Sequence, residues 1–243
     1  MSVSQQIISK TKELSEVEFS YSTTSDYSYI NALDDNCSGI DMDAIVVYFE
    51  IKNPQFLLKT GKRLAARVYK MYYHALKEIC KESGGYFNCY APNSFLMIYP
   101  KQQHNVSYVV DTALKIVDLL IFKLRETFEK TGHIGFSMGI DTGNILGTKT
   151  VCENNQLQIT WYGTAINKAI TIAQLCQRPF FLGLSGSVFH HLDDSLRTTT
   201  KHILGIKKQV DIWERVSYQF ENSRKHLYQT NFHKDIDEEQ PDN

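Results

Sequence analysis

No Cys-x-x-Cys pair occurs among the five cysteines, Cys37, Cys80, Cys89, Cys152 and Cys176. Their odd number and wide spacing argue against a disulfide framework or a zinc knuckle, and predict reduced thiols in a cytoplasmic protein. An excess of charge is missing too. The 26 Lys+Arg stand against 27 Asp+Glu, a net charge of -1, so no general attraction to nucleic acid or to an anionic membrane is expected. The first residues, MSVSQQIISKTKELSE, lack the apolar run of a secretory leader. The longest apolar segment, around Ile116 to Phe122, is too short and too interrupted by charge to span a bilayer. What the chain does have is core-forming material: 42% hydrophobic residues, with 14 Tyr and 13 Phe, in 243 residues.

The periodicities order this material into elements. Ser4 to Val17 reads as a short helix, followed by a polar arm, FSYSTTSDYSYINALDDNCSG. Ala44 to Ile51 is an unbroken apolar run rich in β-branched residues, the signature of a strand buried on both faces. Phe56 to Lys81 repeats apolar residues at helical spacing (Leu64, Val68, Tyr72, Leu76) and is stopped by Gly84 and Gly85. A hairpin follows, Tyr86–Ala91 and Phe95–Tyr99, around the turn Pro92, Asn93, Ser94. A second long helix is expected over Val106–Lys130, then strands at His133–Asp141 and Leu157–Tyr162, a helix at Ala165–Gln177, and a strand at Phe180–Leu184. Ser185 is placed to cap a short helix reaching Leu192, and two short strands near His202–Leu204 and Val210–Trp213 close the domain. The order implies an α+β fold with a ferredoxin-like βαββαβ core, an antiparallel sheet covered by helices. The expected division is an N-terminal helix and arm (1–41), a single domain (42–216), and a flexible polar tail (217–243).

Six phrases then recur in a familiar order: AIVVYFEIKN, GGYFNCYAPNSFLMIYP, IGFSMGIDTGNILG, ITWYGTAINKAITIAQL and LGLSGSVFHHL, with the helix phrase RLAARVYKMYYHAL. Over about Asp43 to Trp213 they resemble class III nucleotide cyclases, and look most like the bacterial antiphage pyrimidine cyclases of the Pycsar type. The resemblance implies a head-to-tail homodimer with sites at the subunit interface. An active member would use Mn or Mg ions to turn UTP or CTP into cUMP or cCMP, with a cyclic-nucleotide effector encoded nearby. Hard cations suit this reaction, because they neutralise a triphosphate and help deprotonate the attacking hydroxyl.

The resemblance assigns sites residue by residue, and several depart from the family pattern. Family members hold metal with two carboxylates. The matching positions are Glu50, which keeps the charge and could bind metal or pair with Lys52, and Asn93 at the hairpin tip, which keeps an oxygen without charge or simply suits a turn. Cys89 and Thr160 fall where the family reads its base. Asn167 matches the Asn that orients the ribose and stabilises the transition state, while Thr171 stands where a phosphate-clamping Arg is usual. A late family Lys falls at Leu204, with Lys207 and Lys208 nearby. Further candidates for phosphate contact are the loop Lys52 to Gln55 and the basic stretch Lys59, Lys62, Arg63, Arg67 and Lys70, which otherwise form a solvated face. Asp141 ends its strand as a turn former or supports a dimer seam, and Ser187, His190 and His191 do not form a recognisable triad. Two functions follow: a divergent homologue with weak or lost catalysis acting as a nucleotide- or protein-binding regulator, and an active pyrimidine cyclase. A GGDEF-like or polymerase-palm relative would share the core, but the GGDEF phrase is absent.

Overall fold

A computed structural model of the chain describes residues 3–16, 18–24, 26, 29, 33, 38–52, 59, 61–129, 135–151, 157–203 and 206–237. In chain order the elements are α1 (Val3–Glu16), β1 (Ser20–Thr23), β2 (Ser38–Ile51), α2 (Lys62–Glu82), β3 (Tyr86–Ala91), β4 (Ser94–Pro100), α3 (Val106–Asp118) and a π-helical turn (Leu119–Lys123). Then come α4 (Arg125–Glu129), β5 (Phe136–Val151), β6 (Leu157–Tyr162), α5 (Thr164–Leu175), β7 (Leu182–Ser185), α6 (Gly186–His190) and a 3₁₀ turn (Asp194–Leu196). Four strands follow: β8 (Thr198–Ile203), β9 (Ile206–Asp211), β10 (Glu214–Phe220) and β11 (Ser223–Thr230).

The sheet runs β10-β11-β7-β5-β2-β4-β3. Its last four strands are antiparallel neighbours in the order of a ferredoxin-like βαββαβ core. Strand β2 is central because its side chains serve two layers. Ile45, Val47, Phe49 and Ile51 face the layer of α2 and α3, while Ala44, Val46 and Tyr48 face that of α5. Helix α2 buries Val68, Tyr72, Leu76 and Cys80, one stripe at helical spacing, and ends at Gly84 with φ 72°. Asn105 caps α3, its side chain accepting from the Tyr108 backbone N–H. Helix α5 lies so close to β5 that a Cβ on Gly139 would stand 2.0 Å from the Ala169 carbonyl oxygen and 2.6 Å from the Ala173 nitrogen. Glycine in β5 and alanines in α5 therefore set the height of the helix over the sheet. Ser185 caps α6 as expected, accepting from the Val188 N–H.

Three expectations need correction. Asp141 does not end a strand: β5 continues to Val151, pairing first with β2 and then with β6. Both halves find hydrogen-bonded partners, so Asp-Thr-Gly reads as a turn in sequence and lies inside a ladder in the fold. The segment from Ser217 is no flexible tail through Thr230. It forms β10 and β11, and β11 closes the open edge of β7 through Leu227↔Ser185 to Thr230↔Leu182. Beyond it, His233 bonds Asp118, Lys234 bonds Asp111, and Lys123 bonds Asp235 and Asp237, so residues 231–237 lie along α3. Asp111 and Asp118 are both 4% exposed and require such partners. The second long helix is also interrupted. At the π-helical turn the Leu124 N–H reaches back to the Leu119 carbonyl, and Phe122 stacks on His233. The start of the first long helix at Phe56 lies outside the described residues, and β8 and β9 form a two-stranded sheet of their own.

Candidate functional site

The end of β2 gathers the expected metal positions. Glu50 pairs in register with Ser94 of β4 and with Ser137 of β5. Asn93, in the turn between β3 and β4, is clamped to the next residue of β2. The Ile51 N–H donates to the Asn93 carbonyl at 2.8 Å, and Asn93 Nδ2 donates to the Ile51 carbonyl at 3.3 Å. The structure thus brings Glu50 and Asn93 to one corner, with the amide N–H₂ of Asn93 spent on backbone.

The Glu50 carboxylate has a cation beside it. Lys52 Nζ lies 2.7 Å from Glu50 Oε2, and their side chains are 28% and 19% exposed. Residues two apart in extended chain share a face, which aligns the pair. Lys52 Nζ also donates to the Ala173 carbonyl at 3.2 Å, and Ser137 Oγ donates to the same oxygen at 2.7 Å. Ala173 is in the last turn of α5, where carbonyls lack helical partners and the helix dipole is negative. A carboxylate and a helix C-terminus together hold one ammonium group. Burial pushes the thiol of Cys176, just past α5, up to about 12, and the Lys52 charge opposes that rise. A second basic group stands nearby. An ideal Cβ on Gly135 would lie 3.6 Å from Lys52 Cβ, 3.6 Å from Arg178 Nη2 and 3.7 Å from Arg178 Nε.

The remaining expected residues are spread wider. Cys89 is exposed, and its sulfur accepts from the Tyr69 hydroxyl of α2 at 3.8 Å, so it faces the α2 layer, away from the Glu50–Lys52 pair. Thr160 lies on β6 opposite Thr148. The two segments do approach each other, since Asn88 Nδ2 donates to the Ile159 carbonyl at 3.5 Å. Asn167 is exposed on α5, and the Thr171 hydroxyl donates back to the Asn167 carbonyl at 2.8 Å. Both precede Ala173 on that helix, and neither contacts Glu50 among the described residues. Lys207 and Lys208 are exposed on β9, off the main sheet, while Leu204 and residues 53–58 lie outside the described residues. Lys59, Lys62, Arg63, Arg67 and Lys70 are exposed at and along α2.

Asp141 is fully buried and accepts from Ser187 Oγ at 3.0 Å, with Lys168 Nζ at 3.8 Å. The Ser187 hydroxyl therefore serves a buried carboxylate, while His191 Nδ1 contacts the Ser187 backbone oxygen. Among the described residues no group of three or more His, Cys, Asp or Glu is placed to hold a metal ion. Sequence reading missed Arg178, which sits in the loop between α5 and β7 with no motif to mark it. It also missed the Ala173 carbonyl, a backbone group that no side-chain pattern reveals.

No family model matches the chain, and no curated protein does. Solved structures do. The guanylyl cyclase Cya2 superposes with a TM-score of 0.64 at 10% identity, over 81% of this chain and 95% of that one. The adenylyl cyclase CyaB from P. aeruginosa gives 0.63 at 12% identity, over 79% and 95%. A class III adenylyl cyclase-like ATP-binding protein from Pseudomonas aeruginosa gives 0.60 at 11% identity, over 81% of this chain and 46% of that one. This chain has the α+β fold of a class III nucleotide cyclase domain, a mainly antiparallel sheet covered by helices.

Proposed function

We propose that this domain is a divergent nucleotide cyclase homologue that binds nucleotide and has lost metal-dependent turnover, acting as a regulator in cyclic-nucleotide signalling. The observation that carries this reading is the Lys52–Glu50 ion pair at 2.7 Å. Glu50 is the one carboxylate left at the two expected metal positions, and it is already neutralised by an internal cation. The residues present do not fit a pair of divalent cations. A metal ion at Glu50 would have to displace an ammonium also bound to a helix C-terminus, and Asn93 offers no charge in return. The arrangement of Asn167 and Thr171 adds to this, because the hydroxyl at the expected guanidinium position donates to its own helix. Nucleotide binding is supported by the fold and by the likeness to a cyclase-like protein described by its ATP binding.

The test is direct. Purified protein is incubated with ATP, GTP, CTP or UTP and Mn²⁺, and cyclic products are sought by mass spectrometry. The expected result is no product above a protein-free control, with nucleotide binding detected by calorimetry. Formation of cUMP or cCMP that Glu50→Ala abolishes would establish the rival reading, an active pyrimidine cyclase.

A further inference from the structure

We infer that Lys52 and Arg178 form a metal-free cradle for the phosphates of a nucleoside di- or triphosphate at the end of β2. The inference rests on the nucleotide-binding reading and names what replaces the cations in it. Counting donors shows the capacity. The Lys52 ammonium has three N–H groups, of which one goes to Glu50 and one to the Ala173 carbonyl, leaving one for a ligand. The Arg178 guanidinium carries five, is exposed, and has no ion-pair or hydrogen-bond partner among the described residues.

The backbone fixes the two groups around one gap. The Lys52 N–H donates to the Gly135 carbonyl at 2.7 Å, tying the exit of β2 to the entry of β5. Lys52 and Arg178 then flank the point where a side chain of residue 135 would project. Because that residue is glycine, no side chain of residue 135 fills the space between the Lys52 Cβ and the Arg178 guanidinium. Among the described residues the local charge is one carboxylate against two cations, which repels a divalent metal and attracts an oxyanion. The Arg178 charge also opposes the burial that pushes the Tyr72 phenol up. A guanidinium fork binds phosphate oxygens two at a time, and an ammonium adds a point charge. A triphosphate brings more negative charge and more oxygens to the two groups than a monophosphate does.

The experiment is equilibrium binding of ATP, of AMP and of inorganic tripolyphosphate, in EDTA and then in excess Mn²⁺, to the wild type and to Arg178→Gln, Lys52→Met and Gly135→Asp. Arg178 is exposed, so its replacement leaves the core intact, and Gly135→Asp places a carboxylate in the gap without removing either cation. The inference expects binding in EDTA that favours triphosphate over monophosphate. It expects a loss of at least about tenfold in Arg178→Gln and in Gly135→Asp, and a fall in affinity with added salt. Binding that appears only with Mn²⁺, or that Arg178→Gln leaves unchanged, would overturn the cradle while leaving the nucleotide-binding reading in place. Absence of binding under both conditions would overturn both.

Discussion

Replacing Lys52 by Met probes the pair on which the reading depends. At 2.7 Å the two charges attract by about 6 kcal/mol gross at an effective dielectric near 20, and partial burial opposes most of that. Exposed ion pairs contribute about 0–1 kcal/mol net, and hydrogen bonds to charged groups about 1.5–3. Side chains 28% and 19% exposed lie between these cases. Lys52→Met is therefore expected to cost about 2 kcal/mol, because it strands the Glu50 carboxylate and frees the Ala173 carbonyl. Glu50→Gln keeps an acceptor for Lys52 and is expected to cost about 1 kcal/mol. Urea unfolding of the wild type, both single variants and the double variant closes a cycle whose coupling is expected near 1 kcal/mol. A coupling below about 0.3 kcal/mol, with each single variant within about 0.5 kcal/mol of wild type, would refute the claim that Lys52 is the counter-ion of this corner.

Other perturbations test the fold around it. Gly139→Ala forces a methyl group against the Ala169 carbonyl and the Ala173 nitrogen of α5, backbone that cannot rotate away, so a loss of about 3 kcal/mol or more is expected in thermal or urea unfolding. Burial pushes Cys80 and Cys176 up to about 12 from an ordinary value near 9.0, so the stability from keeping both thiols neutral is complete below pH 9 and lost as pH rises towards 12. Alkylation followed by mass spectrometry at pH 8 should label exposed Cys89 and spare Cys80 and Cys176. Truncation after Thr230 removes His233 and Lys234 from the buried Asp118 and Asp111, and should cost about 3–5 kcal/mol in urea unfolding. Asn93→Asp adds a second carboxylate beside Glu50, and should raise Mn²⁺ affinity measurably more in the Lys52→Met background than alone.

The parts of this fold legible in sequence were those with a strong period or a cap. The two-faced strand at β2, the Val68–Tyr72–Leu76 stripe of α2 and the Ser185 cap follow from residue type at fixed spacing. Glu50 and Asn93 could be placed at one corner because strand ends and hairpin tips are readable, and a Lys two residues on in extended chain was a visible partner. The hairpin β10–β11 escaped notice because SRKHLYQT is mostly polar, and its anchors Tyr218, Phe220 and Leu227 are too sparse for an apolar run. Asp141 looked like a turn residue, since its hydrogen bond to Ser187 joins two segments far apart in the chain. Arg178 was invisible for the same reason: it comes beside Gly135, the residue bonded to Lys52, only when β7 and β5 bring their ends together.

The most direct measurement is the Mn²⁺ affinity of the metal-stripped wild type beside that of Lys52→Met, by electron paramagnetic resonance titration. With Lys52 as the built-in cation, the wild type should bind Mn²⁺ weakly and Lys52→Met at least about tenfold more tightly, since the freed Glu50 carboxylate then seeks a cation. Tight binding of two Mn²⁺ ions by the wild type, unchanged by Lys52→Met and lost in Glu50→Ala, would contradict the account.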